Sequence, residues 1–217
     1  MLSFTEENYL KAIYHLSDGG QKSVLTNEIA ESIQTKPASV TDMVKKLATK
    51  NLITYEKYYG VKVTRQGKTE ALNIIRKHRL WETFLVEKLG FNWGEVHDVA
   101  EQLEHIQSPL LIEKLDEFLG FPSADPHGHP IPDKNGKFSV ARQILLAEAI
   151  GKRAVVRAVK NSTPAFLDYL SKIGVYIGAT LNVLDKLDFD GSMEIQIDGK
   201  KKVYISKEAS ENILVTE

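Results

Sequence analysis

The chain has 217 residues, more than one small domain needs and enough for two or three. An apolar share of 42% and a charged share of 26% are ordinary for a globular protein, and the absence of cysteine excludes disulfides, thiolate metal sites and thiol catalysis. The formal net charge of −1 favours no partner, but its distribution does: Lys36, Lys45, Lys46, Lys50, Lys57, Lys62, Arg65 and Lys68 face only Asp42 and Glu56, an excess of six positive charges that points to a nucleic-acid face. The first residues carry neither a basic nor an apolar signal-peptide region, and no apolar run reaches the length of a membrane span, so the expected address is the cytoplasm with no membrane partner.

Ser3 followed by Glu6 is a capping-box pattern, opening a helix through Leu16 with Tyr9, Leu10, Ile13 and Leu16 on its apolar side. Asp18-Gly19-Gly20 ends it. A second helix starts near Thr26 and turns Ile29, Ala30 and Ile33 inward. A third begins at Pro37, a residue suited to a first helical turn, and runs through Val40, Met43, Val44 and Leu47. Two short helices around a tight turn, the second with Ser39, Thr41, Lys45 and Lys46 on its polar side, read as helix-turn-helix. Residues 52–55 and 61–64 then read as strands around a turn over residues 56–60. A β-hairpin directly after a recognition helix is the wing of a winged helix, and Lys57, Lys62 and the tyrosine hydroxyls suit phosphate contacts. The expected DNA-binding set is Lys36, Pro37, Ala38, Ser39, Thr41, Lys45, Lys57, Tyr58 and Lys62.

From His78 to His105, side chains that bind metals stand where apolar ones would serve. His78 and Glu82 interrupt a helical face made of Ala71, Ile74, Ile75, Trp81, Leu85 and Leu89, and a carboxylate turned toward a core is costly unless something pairs with it. Beyond them Val96, Val99, Ala100, Leu103 and Ile106 make one stripe, and His97, Glu101, Glu104 and His105 make another. Such residues on one helix face converge, as metal ligands must. Either group alone reads as a hydrogen-bonded pair or a solvated face; two loaded helices in succession read as a metal site.

Glycine and proline at high density mark a loop over residues 120–130, where His129 reads as a polar surface residue. Residues 133–137 look like a linker, and residues 138–150 have helical composition. From Arg153 the pattern changes to short strands over 154–159, 180–184, 193–197, 202–205 and 213–215, with a short helix over 164–173. Asp198-Gly199 between two of these strands is a hairpin signal. Together they predict a small barrel.

Residues 1 to about 132 resemble the diphtheria toxin repressor family of metal-dependent transcriptional repressors, including its manganese-regulator branch. The resemblance is carried by residues 7–14 (ENYLKAIY), 38–47 (ASVTDMVKKL), 55–64 (YEKYYGVKVT), 78–82 (HRLWE), 96–98 (VHD), Glu104-His105 and Pro130-Ile131-Pro132. It implies a primary, regulatory metal site at Asn8, Glu101, Glu104 and His105, and an ancillary site at His78, Glu82 and His97. Family members usually offer Asp or Met at the position of Asn8; the manganese branch has Glu at Lys11, and the iron branch has Cys at Glu101. Asp125 and His127 resemble the place where streptococcal-type relatives supply ancillary ligands. The C-terminal part resembles the SH3-like, iron-transport-accessory type of domain, whose ligand positions are here Thr163 and Phe166, leaving Asp168 as the nearest usable carboxylate.

The fold expected is mainly α with small β parts: a winged helix-turn-helix over residues 1–73, a helical metal-binding and dimerisation domain over 74–138, a linker or helix over 139–150 and an SH3-like β-barrel over 151–217. The function implied is that of a homodimeric repressor of metal-ion homeostasis that binds a palindromic operator in double-stranded DNA when activated by Mn(II) or Fe(II), other divalent transition metals also being able to bind. It is not expected to be an enzyme. Two alternatives stand beside it: a carboxylate/histidine di-metal enzyme, and a winged-helix protein that binds DNA without metal.

Overall fold

The computed structural model describes residues 2–56, 59–138 and 143–216. The chain forms two compact units, one of Met1–His78, Glu101–Pro109 and Pro132–Phe138, the other of Arg79–Ala100, Leu110–Ile131 and Ser139–Glu217.

The first unit begins with helix α1 (Phe4–Leu16), whose start is fixed by a complete capping box: Glu6 N donates to Ser3 Oγ at 3.3 Å and Ser3 N donates to Glu6 Oε2 at 2.8 Å. Helix α2 (Thr26–Ser32) and helix α3 (Pro37–Thr49) follow, the latter with proline in its first turn. Strands β1 (Ile53–Glu56) and β2 (Gly60–Val63) pair antiparallel, and Val24 adds a bridge to Val61. The sequence pattern missed Val24 because an isolated bridge has no periodicity to read.

Leu10 and Ile13 of α1, Ile29 of α2, Val40, Val44 and Leu47 of α3, and Ile53 and Val61 of the hairpin close one core with Ala71, Ile74 and Ile75. Burial of each large side chain contributes about 1.5–3 kcal/mol. The last three residues lie on helix α4 (Arg65–Leu89), whose first turn sits so close to the chain before β1 that a Cβ on Gly67 would lie 1.9 Å from Leu52 O.

The second unit contains helix α5 (Val96–Leu103) up to Ala100, helix α6 (Pro109–Phe118) from Leu110, and a six-stranded antiparallel sheet. The strands are β3 (Ile144–Leu145), β4 (Arg153–Val159), β5 (Thr180–Lys186), β6 (Met193–Ile197), β7 (Lys201–Ile205) and β8 (Ile213–Thr216), in the order β3-β8-β4-β5-β6-β7. Helix α7 (Pro164–Ile173) ends at Gly174, and helix α8 (Lys207–Ser210) precedes β8. The turn between β6 and β7 puts Asp198 and Gly199 at positive φ, as the hairpin signal required. Residues 143–150 correct the helical reading of that stretch: they carry β3 and a short 3-10 turn (Leu146–Glu148). Leu146 and Ala149 are fully buried in the sheet's core, so packing overrides local composition there.

The loop over residues 121–131 is fastened onto β4. Val159 N donates to His127 O at 3.0 Å, and a Cβ on Gly128 would fall 1.7 Å from Arg157 O at a backbone φ of +83°. Only glycine allows both that conformation and that approach. Gly128→Ala is therefore expected to destabilise the second unit by about 1–3 kcal/mol. Thermal unfolding and amide exchange at Val159 measure it; an unchanged midpoint with full protection would show that the loop is not clamped.

Candidate metal centre and nucleic-acid interface

In the first unit the metal-ligand residues arrive from three segments. Asn8 lies on α1 and His78 on α4. The sequence pattern carries one helical face through His105, but α5 stops at Leu103 and Glu104 and His105 occupy the turn that follows. Ile106 N closes that turn on Leu103 O at 3.1 Å, and Pro109 opens α6, which keeps the residue before it out of the helical region.

Glu104 is fully buried. It accepts two hydrogen bonds from Lys11 Nζ, at 2.6 and 2.8 Å, and one from His78 Nδ1 at 2.6 Å. Burial pushes its carboxyl up, but the His78 bond and the Lys11 charge outweigh that and hold it below the usual carboxylate range. Glu101 is half-buried, 3.7 Å from Lys11 Nζ.

His105 makes a separate set of contacts. Its Nδ1 is 2.5 Å from Glu7 Oε2, while Glu7 Oε1 accepts from Gln107 Nε2 at 2.7 Å and lies 3.6 Å from Lys77 Nζ. Phe4 stacks on the imidazole with ring centroids 4.6 Å apart. A carboxylate oxygen accepts, so Nδ1 of His105 is the donor in this contact and Nε2 is the ring nitrogen left for a metal.

Asn8 Oδ1 is buried and has no hydrogen-bond partner. Such an acceptor costs about 1–3 kcal/mol, which a donor or a cation would relieve. Two carboxylates, one imidazole and this amide oxygen fit a hard divalent ion. Glu101, Glu104 and His105 do not gather their ligand atoms within 4.8 Å, because Glu104 is engaged by Lys11 and His78, and His105 by Glu7. Sequence reading missed Glu7 and Gln107, which lie 100 positions apart and meet only in the folded chain. A carboxylate at Glu7, beside the inward Tyr9 and Leu10, was the available signal.

In the second unit Glu82 is buried on α4, with His97 Nδ1 3.4 Å from Oε1 and His127 Nδ1 3.7 Å from Oε2. Asp125, His127 and His129 offer ligand atoms within 4.8 Å of one another. Asp125 Oδ1 accepts from the backbone N–H groups of His127 and His129 at 2.8 and 2.9 Å, and Oδ2 lies 3.1 Å from His129 Nδ1. His127 Nε2 reaches Trp93 O at 2.7 Å and His129 Nε2 reaches Val159 O at 3.0 Å. Burial lowers the proton affinity of His127, but Glu82, Asp125 and the Trp93 carbonyl outweigh it, so its pKa is raised. His129, a surface residue on the sequence reading, is thus a half-buried tie between the loop and β4. Asp168 is exposed on α7 and stands outside that cluster.

Of the expected DNA-binding residues, Lys36, Pro37, Ala38, Ser39 and Lys45 are exposed at or on α3, and Lys62 is exposed on β2. Thr41 is half-buried and its hydroxyl donates to Pro37 O at 3.1 Å. Lys57 and Tyr58 lie outside the described residues. In the second unit an apolar groove of about 540 Å³ is lined by Trp81, Phe84, Leu111, Lys114, Leu115 and Phe118.

Comparison with known proteins agrees along the chain. Residues 1–61 match the family described as iron dependent repressor, N-terminal DNA binding domain; residues 64–133 match its metal binding and dimerisation domain; residues 145–217 match the FeoA domain. The chain is similar to a solved manganese-dependent transcriptional repressor in complex with manganese, at 35% identity and a TM-score of 0.87, over 97% of this chain and 99% of that one. It is 36% identical over 118 residues to an uncharacterised helix-turn-helix regulator of Methanocaldococcus jannaschii, covering 54% of this chain and 94% of that protein. It is 34% identical over 128 residues to the iron-dependent repressor IdeR of Mycobacterium leprae, covering 59% of this chain but only 55% of that relative. No helix among the described residues is long and apolar enough to cross a membrane. The chain therefore belongs to the iron-dependent repressor family, whose members are metal-dependent, DNA-binding transcriptional repressors and not enzymes.

Proposed function

We propose that this chain acts in the cytoplasm as a homodimer that binds a palindromic operator when loaded with Mn(II) or Fe(II), using residues 1–73 for DNA and residues 74–138, joined by Asn8, for metal and dimer contacts. The carrying observation is the buried, unpartnered Asn8 Oδ1 on α1, in the same unit as Glu101, Glu104 and His105. These four residues would hold the regulatory ion. The ion supplies a double positive charge against the Glu101 and Glu104 carboxylates. Oxygen donors with a single imidazole suit Mn(II) or Fe(II) better than a tetrahedral zinc site, in line with the manganese and iron named for the relatives.

Position is transmitted through packing. Tyr9, Leu10 and Ile13 of α1 share a core with Val40, Val44 and Leu47 of α3, so any change in how α1 is held is felt by the exposed face of α3. The metal shifts the equilibrium only by binding the DNA-competent arrangement more tightly. His78, Glu82 and His97 would form the ancillary set, with Asp125 and His127 as further candidates. The apolar groove over α4 and α6 is the face for a second copy: Leu111 and Phe118 expose large apolar side chains there.

Three outcomes follow. In operator titrations against Mn(II), His105→Ala should abolish metal-dependent binding, whereas Glu82→Ala should only raise the metal concentration required; the opposite order would exchange the two sites. Lys45→Ala should weaken binding about evenly across sequences and reduce the salt slope by roughly one, while Ser39→Ala should change which sequence is preferred. An unchanged salt slope would remove Lys45 from the interface. Phe118→Asp should give a folded monomer in sedimentation with operator affinity lost; a dimer of wild-type strength would place the interface elsewhere.

A further inference from the structure

We infer that Lys11 is a tethered cation for the regulatory metal site, which neutralises Glu104 before a divalent ion is loaded and thereby sets the metal concentration at which the protein responds. The inference rests on the metal-site reading above and deepens it. Lys11 projects from α1 three residues after Asn8, and its ammonium makes both short bonds to Glu104, at 2.6 and 2.8 Å. The same ammonium lies 3.7 Å from Glu101. One positive charge therefore serves the two carboxylates assigned to the metal. The lysine side chain is only 15% exposed and Glu104 is 0% exposed, so this pair is not a screened surface contact.

A carboxylate with no access to water needs a positive or hydrogen-bonding partner, and removal of that partner leaves the charge uncompensated. Lys11 fills this need from within the chain. An incoming divalent ion meets an ammonium already bonded to its ligand, and Lys11 must give up its bonds to Glu104 for that oxygen to coordinate. Apparent metal affinity is lowered by the fraction of molecules in which Glu104 is held this way. The exchange also reads out on α1, because Lys11 and Asn8 sit one turn apart on the same helix. In one condition α1 is tied to the turn after α5 by Lys11; in the other it is tied there by Asn8.

Lys11→Met keeps the aliphatic stem and removes the charge. Mn(II) affinity of the full chain after chelator treatment, followed by the electron paramagnetic resonance of free Mn(II), should tighten by about tenfold or more, the worth of a charge-assisted hydrogen bond. The thermal midpoint of the chelator-treated variant should fall below that of the wild type and recover on adding Mn(II). Lys11→Arg should restore both readouts toward wild type, which mere loss of packing would not explain. Lys11→Gln serves for the same measurements where Lys11→Met does not fold. Mn(II) affinity that is unchanged or weaker in a folded Lys11→Met or Lys11→Gln, while Glu104→Gln loses Mn(II) binding, would overturn the tethered-cation role alone. Retention of wild-type Mn(II) affinity by Glu104→Gln would overturn the metal-site assignment and this inference with it.

Discussion

The buried carboxylate of Glu104 constrains the first unit more than any other group. Moving an ion out of water costs several kcal/mol even after relaxation, and removing its partner typically costs about 3–5 kcal/mol. Glu104 meets this demand by drawing Lys11 from α1 and His78 from α4 onto the turn after α5. Glu7 does the same for His105, with Gln107 and Lys77 around its other oxygen. Seven charged or polar side chains from three segments, α1, α4 and the stretch after α5, are thereby fixed against one another.

This arrangement joins recognition to chemistry. Helix α1 contributes one face to the core that supports α3, and Glu7 and Lys11 to the ionisable cluster, with the buried Asn8 oxygen between them in sequence. Under the function proposed, a helix shared between the core behind α3 and a charged site is the element through which binding at one place would alter the other. No long pathway is required, since Asn8 and Leu10 lie within a single turn of each other.

The second unit uses polar contacts for attachment. Its loop over residues 121–131 is pinned through Asp125, His127, Gly128 and His129, each engaged with Trp93, β4 or its own turn. Trp93 also donates from Nε1 to Ser171 Oγ at 3.1 Å and packs against the sheet's core. His127 meanwhile faces Glu82 on α4. A ligand-rich loop that is already hydrogen-bonded is held with little freedom, so any ion there would have to displace contacts and not merely collect side chains.

The sequence by itself determined the order of elements, the winged helix, the two loaded segments and the strand-rich C-terminal part. Capping boxes, apolar periodicity and turn residues act within a few positions of each other, so the boundaries of α1, α3 and α7 follow from local chemistry. It also contained the ligand types, because a histidine or carboxylate on an apolar face is anomalous wherever the chain goes. Only the tertiary structure decided how those side chains are used. The 3-10 turn at Leu146–Glu148 and the bridge at Val24 depend on packing against distant segments. The bonds from Lys11 to Glu104 and from His105 to Glu7 link residues more than 90 positions apart. An isolated Lys11 reads as a solvated helix residue; its role follows from the carboxylate that folding buries beside it, and the cost of burying that charge is a property of the assembled core.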